Sequence, residues 1–316
     1  MTDLPNAVTI QEVGPRDGLQ SEARVLTTDQ KVALINALVA AGLREIEVGS
    51  FVNPKAVPQM AGTAEVVARL PDVPGVNYRA LWLNPKGLEQ AIATGRVAMD
   101  GKLTLTASDT FSKRNTNRSI EETIGQMPVW IGLYRAAGVT PHALGLMAAF
   151  GCNFEGEVPP EKVLGLIARV KSVMNDNGSD LAHVRLADTM GWANPAQVTR
   201  LVDMVWSRWP EMGIRLHLHD TRGLAVANAF AAMQRGVREF DAAVGGLGGC
   251  PFAALKGAAG NVATEDLAFM CEEMGIETGV NLERLVEAAS LAEELVGRPL
   301  VGKVMKAGAL ARYRKH

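Results

Sequence analysis

The chain has little cysteine: three residues in 316, Cys152, Cys250 and Cys271. They are far apart, odd in number and show no C-x-x-C spacing, which argues against a disulfide framework and a structural zinc site. A reducing cytoplasm is the expected compartment. Aromatic residues make up only 5% of the chain and histidines number five, so each of these carries weight when it clusters. Apolar runs of the ~20 residues that span a bilayer are missing, so no membrane association is expected. The start, MTDLPNAVTIQEVG, shows no basic segment followed by an apolar stretch and hence no secretory signal. The formal charge of −2 gives no field that would favour nucleic acid or an anionic membrane.

What is present is alternation. Strand-like runs begin at Val8, Arg44, Asn77, Lys102, His142, His183, Ile214 and Glu239. Helical patterns separate them. TTDQKVALINALVAAG has Thr28 as the expected N-cap and Gly42 past its end. NPAQVTRLVDMVWSRW has Asn194 as N-cap and Pro195 at the first helical position. Eight such repeats predict an α/β fold of the TIM (βα)8 class, with a doubly wound open sheet as the runner-up. No linker or low-complexity tract interrupts the pattern. A single domain over residues 1–316 is expected, with a helical extension from about residue 281.

In this fold the chemistry sits where strands end in loops. Strand one ends in EVGPRDGLQ, which places Arg16, Asp17 and Gln20 at its edge. An adjacent arginine and aspartate form a surface ion pair as readily as an active site. In strand two, alternation puts Glu45, Glu47 and Gly49 on one face, and an inward Glu47 needs a partner. Strand seven carries LHLHD, so His217 and His219 share one side. One buried histidine is usually a core residue, but two on one face at a strand end point to a metal. With Asp17 and Asn261 they form a mixed N/O set suited to Mg²⁺ or Mn²⁺, while zinc stays open. His142 and His183 lie too early in their strands to join a zinc hydrolase site. Asp188, ending strand six, orients a ligand or caps the next element. Cys250 sits in GGLGGCPF, a glycine-rich stretch unsuited to a packing cysteine.

EVGPRDGLQ, SFVNPKAVPQM, ADTMG, HLHDTRGLAVAN and GGLGGCPFA…GAAGNVATEDL, in this order, resemble the 3-hydroxy-3-methylglutaryl-CoA (HMG-CoA) lyase family. The resemblance runs from near Val8 through the helix after Asn261. It implies a divalent cation on Asp17, His217, His219 and Asn261, and a catalytic Cys250. It also implies Arg16 near the thioester carbonyl, and Glu47 and Gln20 as polar site residues. The implied reaction is retro-Claisen cleavage of an acyl-CoA to acetyl-CoA and acetoacetate, with His217 as candidate base. Citramalyl-CoA or a longer 3-hydroxy-3-alkylglutaryl-CoA is an alternative substrate. A condensing synthase and a non-catalytic barrel are the rival functions. A homodimer is expected.

Two departures stand out. Ala23 occupies a position where the family often has lysine. The stretch from Cys250 to Asn261, containing AALKG, is about two residues longer than the family pattern. Lys256 within it is a candidate replacement charge for substrate binding.

Overall fold

The computed structural model describes residues 4–249 and 259–314. Its strands are β1 (Thr9–Glu12), β2 (Glu45–Phe51), β3 (Asn77–Trp82), β4 (Lys102–Thr106), β5 (Ala143–Met147), β6 (Gly151–Cys152), β7 (Gly156–Glu157), β8 (His183–Ala187), β9 (Gly213–His217) and β10 (Glu239–Ala242). Eight form one sheet in the order β3-β2-β1-β10-β9-β8-β5-β4, and β6 pairs with β7 alone. The pairings β1–β2, β2–β3, β4–β5, β5–β8 and β8–β9 are all parallel. Parallel neighbours demand crossovers, and helices supply them. The fold is the TIM (βα)8 class. Every expected strand is present, and the β6–β7 hairpin is an addition the periodicity did not reveal.

The chain divides into two compact units. One comprises residues 4–5 and Met99–Phe240, and the other Asn6–Ala98, Asp241–Gly249 and 259–314. In the first, Val184, Leu186, Leu144 and Leu146 are fully buried in β8 and β5, and Val163, Ile167, Val198 and Val202 of the flanking helices are likewise buried. In the second, Ile46 of β2 and the helix residues Leu34, Ile35 and Leu38 are buried. Burying each such side chain contributes roughly 1.5–3 kcal/mol.

Local chemistry explains the helix starts. The helix Thr28–Ala40 is capped by Thr27, whose hydroxyl accepts from Gln30 N at 3.2 Å while Gln30 caps in return. The expected cap, Thr28, is therefore the first helical residue, because only Thr27 has the glutamine three positions on that a capping box requires. Asn194 caps Pro195–Arg208 as expected, with Gln197 completing its box. Beyond the sheet lie helices Thr264–Glu273 and Leu282–Val296. After them comes one more short element. It is a four-residue helix, Val304–Ala307, followed by a tight turn at Leu310–Tyr313. Gly308 separates the two.

Candidate functional site

In the Asn6–Ala98 unit the chain after β1 makes a wide helical turn, Gly14–Gly18, in which Gly18 N–H donates to Val13 O at 3.2 Å. Turns of this width often mark functional sites, because they re-aim side chains. This one presents Arg16 and Asp17. Arg16 Nε donates to Glu47 Oε2 at 2.7 Å, and Arg16 Nη1 donates to Asp17 Oδ1 at 2.6 Å. Glu47 is 1% exposed and Arg16 7%, so this is a buried ion network and not a surface pair. Burial opposes the charge on Arg16, but the Glu47 and Asp17 carboxylates overcome it and raise the guanidinium pKa. Glu47 thus has the partner that inward alternation requires. Alternation itself breaks next to it, since the β2–β3 register shifts between Glu47 and Gly49. Gln20 is half-buried just past the turn.

The same unit holds Asn261. Its Nδ2 donates to Asp17 Oδ2 at 2.9 Å and to Leu247 O at 3.0 Å. Asn261 is 1% exposed and its Oδ1 has no hydrogen-bond partner. A buried carbonyl oxygen without a partner costs about 1–3 kcal/mol and calls for an explanation. A cation is one. Close approach of Asn261 requires Gly248, at φ +101°, where an added Cβ would lie 2.5 Å from Asn261 Nδ2.

Behind these groups is a carboxylate that the sequence reading did not single out. Glu12, fully buried at the end of β1, accepts from Gly14 N at 2.7 Å, Val244 N at 3.0 Å and Thr264 Oγ1 at 2.6 Å. Burial pushes its carboxyl up to about 7 against these three donors. Glu265, also fully buried, accepts from Gly245 N at 3.0 Å, and burial pushes it up to about 8.

In the Met99–Phe240 unit the histidines meet as their spacing predicts. His217 Nε2 lies 3.1 Å from His219 Nε2, with both rings buried. Two donors at adjacent corners of an octahedron with ~2.1 Å bonds are about 3.0 Å apart, so this spacing suits a divalent cation. Arg185 Nη2 lies 2.9 Å from His217 Nδ1. A guanidinium only donates, so Nδ1 accepts here and a neutral ring carries its proton on Nε2; a lone pair on Nε2 requires the tautomer protonated at Nδ1.

Residue pairing of Ala187 with His217 brings Asp188 beside the H-x-H segment, and Asp188 N–H donates to His217 O at 2.8 Å. Asp188 does not cap the next helix, whose cap is Asn194; its Oδ1 accepts from Trp192 N at 2.7 Å within the turn that follows β8. Its Oδ2 is buried without a partner, and burial pushes the carboxyl up to about 6. The turn therefore uses one oxygen, and the other has no hydrogen-bond partner. His183 has a structural role. It lies 3.2 Å from Glu239 Oε2, and although burial would raise Glu239, His183 and Arg215 bring it down to about 2. His142 is exposed. Cys152 and Cys271 are buried free thiols, and Cys271 is pushed up to about 12 by burial. Cys250 and Lys256 lie outside the described residues.

The HMGL-like family model matches residues 7–292. This chain belongs to the HMGL-like family. Its HMGL-like relatives include the hydroxymethylglutaryl-CoA lyase of Bacillus subtilis (strain 168), 41% identical over 296 residues, covering 94% of this chain and 95% of that one. The crystal structure of hydroxymethylglutaryl-CoA lyase from Pseudomonas aeruginosa superposes with a TM-score of 0.88 at 38% identity, covering 98% of this chain and 99% of that one. An HMG-CoA lyase from Acinetobacter baumannii, solved with coenzyme A and 3-methylmalate, gives 0.86 at 37% identity and 100% coverage of both. These HMGL-like structures share the fold described above. No helix among the described residues is long and apolar enough to cross a membrane.

Proposed function

We propose that this protein cleaves (S)-3-hydroxy-3-methylglutaryl-CoA to acetyl-CoA and acetoacetate, using a divalent cation. The observation that carries the reading is the donor set. Asp17, His217 and His219 are a group that could hold a metal ion, and the partnerless Oδ1 of Asn261 offers a fourth donor. Mixed nitrogen and oxygen ligands without thiolate suit Mg²⁺ or Mn²⁺. Such a cation supplies a lowered hydroxyl pKa and charge stabilisation on the bound substrate.

The protein's own groups then divide the work. Arg16, held by Glu47, is aimed as a donor at the thioester oxygen, where negative charge develops as the C2–C3 bond breaks. Gln20 and Asp188 are the polar groups proposed to bind the acyl chain. His217 was expected both as ligand and as base. Both roles need a lone pair on Nε2, which the ring has only with its proton on Nδ1 and the Arg185 contact given up. When Nε2 does not ligate, His217 takes the hydroxyl proton as base; the C3 hydroxyl becomes the ketone of acetoacetate and the bond electrons pass to the acetyl-CoA enolate. The Cys250 thiol returns a proton to C2 of that enolate. Lys256 is proposed to contact the acyl-CoA.

The A. baumannii relative, solved with coenzyme A and 3-methylmalate, an isomer of citramalate, supports a second reading in which a shorter branched 3-hydroxyacyl-CoA such as citramalyl-CoA is the substrate. Incubation with Mg²⁺ and each thioester in turn, following free CoA ester and keto-acid products, separates the two. Cleavage of neither would sink the lyase reading. We also propose that the protein acts in the cytoplasm as a homodimer, with the whole chain as one catalytic domain. The continuity of β10 from Phe240 to Asp241, across the division between the units, supports the last point. Light scattering on a sizing column tests the dimer.

A further inference from the structure

We propose that Glu12 is a positioning residue that shapes one half of the cation site by tying together the three chain segments that carry it. The inference rests on the metal reading above and deepens it.

The geometry is economical. Glu12 Oε1 accepts from Gly14 N and Val244 N, and Oε2 accepts from Thr264 Oγ1. Each anchored residue stands three positions from one that fixes the proposed donors. Gly14 precedes Asp17 by three, Val244 precedes Leu247 by three, and Thr264 follows Asn261 by three. Asp17 Oδ2 and Leu247 O are the two acceptors that hold the Asn261 amide, leaving its Oδ1 without a partner. Three separate stretches of chain therefore converge on one carboxylate, and the same stretches converge again on one amide.

The neighbouring sequence is cut to fit. An added Cβ at Gly14 would lie 2.5 Å from Glu12 Oε1, so only glycine lets the carboxylate reach the start of the turn. Glu12 accepts three hydrogen bonds while 0% exposed, so its carboxylate is held from several sides and cannot drift. Groups behind metal ligands act in this way: they fix orientation, and their loss typically weakens metal affinity about 10–100-fold.

Calorimetric titration of Mn²⁺ into the EDTA-stripped full-length protein tests this without reference to turnover. Glu12→Leu keeps volume and removes every acceptor, and the expected Kd is about 10–100-fold weaker. Glu12→Gln keeps an oxygen for the two backbone N–H groups and an amide for Thr264. Its affinity should stay within about threefold of wild type. Leucine binding as tightly as wild type, or glutamine as weakly as leucine, overturns the inference; the second result would point to charge and not positioning. If Glu12→Leu does not fold, Thr264→Val should weaken binding and Thr264→Ser should restore it, and equal affinities for these two overturn the inference as well. Failure of the wild-type protein to bind Mn²⁺ would overturn the metal reading and this inference together.

Discussion

Asn261 donates through Nδ2 to Asp17 Oδ2 at 2.9 Å, and the same nitrogen donates to Leu247 O at 3.0 Å. An amide pinned twice through its nitrogen has only one way to face. Its carbonyl oxygen points to a place where the protein provides no donor, and a buried acceptor in that state is stable only if something arrives to meet it.

The first prediction follows from that vacancy in hydrogen bonding. EDTA treatment should abolish cleavage of HMG-CoA, and Mg²⁺ or Mn²⁺ should restore it. Asn261→Ala should weaken Mn²⁺ binding by about tenfold or more, the scale of a lost ligand contact. Unchanged calorimetric affinity in the variant would remove Asn261 from the site.

Arg16 and Glu47 form a buried pair, and Asp17 is the guanidinium's second partner. Arg16→Met should leave Glu47 as an isolated buried carboxylate, costing about 3–5 kcal/mol of stability. If Arg16 also donates to the developing oxyanion, kcat should fall about 10²–10³-fold. Thermal melts and steady-state kinetics on the same preparation separate the two effects. A large drop in melting temperature with kcat intact would make Arg16 structural only.

Glu265 sets a pH dependence of stability. Its folded pKa is raised from 4.5 to about 8 by burial, so the folded state holds a proton that the unfolded chain releases. The associated stability is fully present below about 4.5 and is lost as pH rises toward 8. Glu265→Gln carries no such loss and keeps an oxygen for Gly245 N–H. Its melting temperature should match wild type near pH 5 and exceed it by about 2 °C or more near pH 8.5. The same difference at both pH values would show that Glu265 does not titrate in this range.

Cysteine chemistry should be selective. Cys152 and Cys271 are 0% exposed, and Cys152 lies 3.1 Å from Ser108 Oγ. Iodoacetamide on the native protein should therefore inactivate it by modifying Cys250, with the other two thiols protected, as peptide mapping would show. Cys250→Ala should lower kcat about 10²–10⁴-fold while leaving Mn²⁺ affinity unchanged. Near wild-type turnover would exclude Cys250 from the proton transfer.

Much of this was legible in the residues, for reasons that also explain the gaps. His217 and His219 could be read because a two-residue spacing on a strand fixes relative side-chain direction whatever surrounds it. Arg16, Asp17 and Glu47 stood out because charges at strand ends are conspicuous. Glu12 did not. In TIQE it looks like the solvent-facing member of an alternating strand, yet Ile10, Gln11 and Glu12 are all buried. β1 lies between β2 and β10 in a parallel sheet, and such strands are covered on both faces, so alternation carries no inside–outside signal. Arg185 was missed for the same reason, its half-buried position in β8 resembling an exposed one. Thr27 displaced Thr28 as the cap because two threonines in a row leave the choice to the partner three residues on. Asp188 could be left open between two roles, and its two oxygens divide between a backbone N–H and a vacant position.

The two glycines flanking the longer stretch have a further consequence. An added Cβ at Gly260 would lie only 1.9 Å from Gly248 O, so the backbone leaves and returns at a single point. Gly248 and Gly260 thus form a closed neck for the stretch between them. The length and composition of that stretch can change without disturbing the neck, because lengthening a loop whose ends already meet adds little entropy, about 0.6 kcal/mol per doubling. Natural variation at Ala253–Gly257 or its deliberate exchange between relatives should therefore retune substrate choice while the hydrogen bonds around Asn261 stay in place.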